Sequence, residues 1–178
     1  FAALALSENG YAPILLEQGD AVEERTKRVE NFWKNGDEVL DIRSNVQFGE
    51  GGAGTFSDGK LNTLVKDTSG RNGKVLALFV EMGADASILY DHAPHIGTDV
   101  LRDVVKNLRN RIIAGGGEVH FRTEVTKILE ENGKVTGVMT ADGSVIETDH
   151  VILSVGHSAR NLFAELDRMK VFMEPKPF

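Results

Sequence analysis

The chain has 178 residues, 41% of them hydrophobic, enough for one globular domain or one domain with part of a second. Its net charge of −7 argues against a nucleic-acid-binding surface, which would carry a basic face. The absence of cysteine excludes disulfides, thiolate metal sites and dithiol redox chemistry in this segment, and no apolar run reaches the ~18 residues of a membrane-spanning helix.

Residues 1–9, rich in Ala and Leu, read as the last turns of a helix stopped by Gly10 at its C′ position. Ala12 to Glu17 follows as a short buried strand ending in an acid. Asp20 is placed to cap a helix that carries Arg25, Phe32 and Trp33 and stops at Asn35-Gly36. Residues 43–62 form a glycine-rich loop. The spacing of Val75, Leu76, Phe79 and Val80 predicts a helix over 72–82, and Thr98 or Asp99 is expected to cap a longer one carrying Leu101, Val104, Leu108 and Ile112. Beyond Gly115-Gly116-Gly117, strands are predicted at 119–129, 135–141 and 145–147. Turns at Asn132-Gly133 and Asp142-Gly143 separate them. The run 150–155 reads as a buried strand entering Gly156, and a final helix spans about 159–169. The chain starts without Met and ends on Pro175-Lys176-Pro177-Phe178, so both ends are expected to be cut from something longer.

This order predicts an α/β fold: a partial Rossmann-like, mainly parallel sheet with a three-stranded antiparallel β-meander inserted on one crossover. Helix, glycine turn, buried strand and terminal carboxylate resemble the second half of a Rossmann βαβ unit. In such a unit the acid accepts hydrogen bonds from a ribose about 20 residues after a glycine fingerprint. Glu17 occupies that place, though an ordinary acid at a strand end fits the pattern too; the fingerprint would lie just upstream of Phe1.

Gly49-Glu50-Gly51-Gly52-Ala53-Gly54 matches G-x-G-x-x-G letter for letter. A working fingerprint needs a strand before it and a helix opening on its glycines, and neither is expected here. Gly54 to Lys60 matches a P-loop until Leu61 replaces the magnesium-binding Ser or Thr. Glycines at this density suit either a mobile loop or the close approach of backbone amides to a planar or anionic ligand. Gly156-His157-Ser158-Ala159-Arg160 lies between strand and helix. It is either a ligand-binding turn at the sheet's carboxyl edge or a helix start capped by Ser158. His92 and His95 lack a matching cluster of acids, so no metal site is expected.

Asn45 to Asn62, with the stretches 13–17, 95–99, 156–160 and 173–178 in order, resembles the signature of the predicted bacterial FAD-dependent (NAD/FAD-utilising) dehydrogenases. The resemblance implies a glutathione-reductase-like FAD-binding domain. Its segments would be 1–43 (second half of the first βαβ unit), 44–97 (glycine-rich flavin loop and helical insertion) and 98–178 (meander and last sheet strand). Glu17 would take the adenosine ribose. Gly51, Gly52, Ala53, Gly54, Thr55, Ser57 and Asp58 would lie near flavin or pyrophosphate, Val125 would offer its backbone to adenine, and Gly156 would border the cofactor. Lys60, His95 and His157 are candidates for groups beside the isoalloxazine, where a cation would stabilise negative charge on the reduced ring; no catalytic residue is otherwise carried over.

The function so implied is a cytoplasmic FAD-dependent oxidoreductase or dehydrogenase acting on a small molecule of unspecified identity, with NAD(P)H admissible as electron donor. The competing expectations are an FAD- or nucleotide-binding module of a non-redox protein, RNA-modifying or regulatory, and a non-catalytic interaction domain. A glycine loop that serves only the cofactor is expected, without it, to be mobile over residues 49–59 or held by a neighbouring chain.

Overall fold

The computed structural model describes residues 1–56, 60–61, 67–91 and 94–175. The chain forms two compact units, Phe1–Arg122 and Thr123–Phe178.

The first unit opens with helix α1 (Ala2–Glu8), which buries Leu4 and Ser7. Its end follows from Gly10. The Gly10 amide donates to Ser7 O at 3.1 Å and the Tyr11 amide to Leu6 O at 3.1 Å, which is the Schellman closure. Gly10 sits at φ +82°, so Gly10→Ala should destabilise the unit by about 1 kcal/mol, measurable as a lower urea midpoint at unchanged slope. The turn delivers the chain into strand β1 (Ile14–Leu16).

β1 pairs in parallel with β2 (Glu118–His120), Leu15 lying opposite Val119. The intervening crossover carries α2 (Val22–Asn35), α3 (Arg71–Glu81) and α4 (Thr98–Ala114). α4 buries Leu101, Val104 and Ile112 along one stripe. Leu101 and Val104 join Met82, Ala84, Ile88 and Ile96 in the core of the unit. Each buried Leu, Ile, Val or Met side chain contributes ~1.5–3 kcal/mol of transfer free energy.

The helix starts depart from the expected caps. Asp20 does not cap α2; its carboxylate is held by Arg28 and Arg122. The Val22 amide donates instead to Glu50 Oε2 at 2.8 Å, from a residue 28 positions away. Neither Thr98 nor Asp99 caps α4, because both lie inside its first turn, after Gly97. α3 receives a cap from Asp67, whose carboxylate accepts from the amides of Arg71, Asn72 and Gly73.

The second unit holds the predicted meander: β3 (Val125–Glu131), β4 (Lys134–Thr140) and β5 (Val145–Glu147), antiparallel in the order β3-β4-β5. Asn132 and Gly133, both at positive φ, make the first turn. Helix α5 (Arg160–Arg168) buries Leu162, Glu165 and Leu166 and packs on β3.

Two sequence expectations change. The predicted strand 119–129 is two strands in two units, because Arg122 turns left-handed (φ 55°) and its amide donates to Gly19 O at 2.9 Å. Residues 150–155 form no strand: the described residues of their unit offer no ladder partner, and Ile152 and Leu153 stand exposed. The compact units divide after Arg122, and residues 53–56 pack on α4 within the first unit.

Candidate functional site

Glu17 is fixed where β1 ends. Its amide extends the parallel ladder to His120 O at 2.9 Å. Its Oε1 accepts from the Gly19 amide at 2.8 Å and from the Gly49 amide at 3.0 Å. One carboxylate oxygen therefore ties the strand end to the glycine loop, while the other has no hydrogen-bond partner among the described residues. Backbone meets backbone here: a Cβ built on Gly19 would lie 2.6 Å from Gly49 Cα.

The loop is built around Arg25, which projects from the buried stripe of α2 between Val22 and Val29 and is itself fully buried. Its guanidinium donates to five carbonyl oxygens: Asn45 at 2.9 Å, Val46 at 3.0 Å, Gly49 at 3.1 Å, Glu50 at 2.7 Å and Gly52 at 2.8 Å. It also lies 4.7 Å over the Phe56 ring, which has Arg102 at 5.1 Å and the edge of Trp33 at 6.2 Å. Burial brings Arg25 down to about 10, opposed by the negative charges of Glu17 and Glu50, so it remains a cation at neutral pH. Thr55, fully buried at the far side of this loop, has an Oγ1 with no hydrogen-bond partner among the described residues.

Two charge clusters brace this assembly. Glu50 accepts from Arg109 at 2.8 Å, and burial raises its pKa; the Arg109 hydrogen bond holds Glu23 down at about 2. On the other side Arg122 grips Asp20 through both oxygens at 2.6 Å and Asp41 at 2.7 Å. The Arg122 hydrogen bond lowers Asp41 to about 2. Asp20 falls below its ordinary value although burial pushes it up, because Arg122, Ser44 and Arg28 outweigh that push.

The structure thus brings Glu17, Gly51, Gly52, Ala53, Gly54 and Thr55 together on one framework of β1, α2 and the loop. Ser57 and Asp58 lie outside the described residues, as does His92. Lys60 and His95 face each other across an antiparallel bridge, with the Leu61 amide donating to Pro94 O at 3.0 Å, and both are exposed. In the second unit Val125 opens β3 opposite Thr140. Gly156, at φ +69°, has open space where a Cβ would stand, and His157 is exposed with Nδ1 3.3 Å from Ser158 Oγ. Ser158 does not cap α5, whose N-cap is Ala159.

Arg25 carried a sequence signal that periodicity alone passes over: an arginine at an apolar-stripe position, with Val22 and Val29 three before and four after it. Glu50, Arg109 and Arg122 gave none, since their partners are far away in sequence. Among the described residues no group of three or more metal-ligating side chains occurs, and no helix is long and apolar enough to cross a membrane.

Residues 92–177, just under half of the chain, match the family model described as FAD dependent oxidoreductase. The whole chain is 46% identical over 178 residues to an uncharacterized protein of Clostridium beijerinckii, and it spans 32% of that relative's length. A crystal structure of an oxidoreductase from Methanosarcina mazei is 39% identical where it aligns, over 33% of this chain and 14% of its own, with a TM-score of 0.30. The family match supports the FAD-dependent oxidoreductase class.

Proposed function

We propose that this chain contributes the adenosine-binding and loop portion of an FAD-dependent oxidoreductase. The observation that carries the reading is Glu17: a carboxylate at the end of a parallel strand, aimed by two backbone amides through one oxygen, with its second oxygen left to accept from ribose hydroxyls. The loop fits the same ligand. Gly52 has open space beside it, and Gly51, Gly52 and Ala53 are exposed, so their backbone is accessible to a cofactor. The match of residues 92–177 supports FAD over other nucleotides. FAD, when bound, supplies a flavin ring that takes up a hydride or electrons. The chain's own residues bind and orient: Glu17 holds the ribose, the loop lines the cofactor, and Lys60 with His95 place two basic-capable groups side by side.

Glu17→Gln is the test. The amide keeps the shape and the oxygen that Gly19 and Gly49 use, and it replaces the remaining acceptor by a donor facing the ribose. FAD affinity should fall by about 1–3 kcal/mol, roughly 5- to 150-fold, by flavin fluorescence titration. Unchanged affinity would remove Glu17 from the site.

A further inference from the structure

We infer that Arg25 is the positioning residue of the cofactor loop: buried behind it, the guanidinium sets which way the loop's amides point. The inference rests on the FAD reading above. Its basis is peptide geometry. In a planar trans peptide the N–H points away from the C=O. Arg25 fixes the Glu50 carbonyl at 2.7 Å and the Gly52 carbonyl at 2.8 Å, so the amides of Gly51 and Ala53 must face away from it. Neither amide donates to another described residue, and both residues are exposed. The Glu50 amide obeys the same rule: with the Gly49 carbonyl on Arg25, it points outward and is met by Asp20 O at 3.0 Å. The result is a pair of outward amide donors with a buried cation behind them. Such a surface favours a hydrogen-bond-accepting, electron-rich edge of a ligand.

Lysine cannot substitute. Its ammonium has three donors from one point, whereas the fork here reaches five carbonyls spread from Asn45 to Gly52. Arg25 itself is screened from the ligand by the loop it organises, so its effect passes through the backbone.

Two variants, Arg25→Met and Arg25→Lys, carry the test, each read by FAD titration and by amide hydrogen exchange without cofactor. In both, FAD affinity should fall by roughly tenfold or more. Exchange should accelerate across residues 45–56 while α3 and α4 keep their protection. Wild-type FAD affinity in the variants, with the loop loosened, would overturn the inference and leave the FAD reading intact. So would a uniform loss of protection through the first unit in both variants, since Arg25 would then serve the fold alone. A wild-type protein that binds no FAD would sink the reading itself, and the inference with it.

Discussion

Replacing Gly49 with alanine should cost the first unit about 2–6 kcal/mol. Two effects add. Gly49 sits at φ +114°, a region open to glycine and strained for any L side chain. The new Cβ would also lie 2.4 Å from Arg25 Cδ and 2.8 Å from its Nε. A flexible surface side chain would swing aside from such a contact. Arg25 cannot, because it is fully buried and its far end is held by five carbonyls. Either the loop moves and a buried cation loses its acceptors, or the helix shifts. Gly52→Ala makes the control: its φ is +67° but nothing lies within 4 Å of the added methyl, so only the backbone strain of about 1–2 kcal/mol remains. Thermal or urea unfolding of the two variants separates the terms, and equal costs would show that contact with Arg25 does not decide the loop's glycines.

The same comparison bears on why the loop is so rich in glycine. Sequence alone leaves two explanations, mobility or approach to a ligand, and both assume that the glycines serve something other than packing. At Gly19, Gly49 and Gly51 the space is already filled, by Gly49, Arg25 and Thr55 respectively. These three serve the fold, and over 49–56 the loop is held by Arg25 rather than left unanchored. Gly52, with open space beside it, is where a ligand explanation still has room.

What could be read from the chain follows how local its cause is. The Gly10 helix stop, the Asn132-Gly133 turn and the apolar stripe of α4 depend on neighbours within a few residues, and each stands where expected. Glu17 was legible as a strand-end acid because strand and acid are contiguous. What binds it, the Gly49 amide, comes from 32 residues away and leaves no local trace. The cap of α2 failed for the same reason: Asp20 has the right chemistry and position, yet two arginines claim it, one of them 102 residues on. The run 150–155 shows the limit from the other side. Its apolar side chains report a preference for burial, but a strand also needs a partner edge, which a single segment cannot encode.

Removing Arg122 should expose how far the first unit depends on its buried acids. Arg122→Met keeps the side chain's bulk and its left-handed backbone and deletes three hydrogen bonds to Asp20 and Asp41. Asp20 is left largely buried with Arg28 as its remaining charged partner, so a loss of about 2–4 kcal/mol at neutral pH is expected. The pH dependence fixes the cause. Both carboxyls titrate below their ordinary value in the folded chain, Asp41 at about 2, so the stability they contribute is fully present above about pH 4. It drains away as pH falls through the folded values. Glu50 runs the opposite way: burial raises its pKa, so lowering the pH relieves a penalty there, and the variant leaves that contribution untouched. Wild type should therefore lose its advantage over Arg122→Met on acidification, the two unfolding curves converging as pH approaches 2. A stability gap that persists undiminished at that pH would trace the loss to how the two side chains pack and tolerate the positive φ at this turn, and not to the charges Arg122 holds.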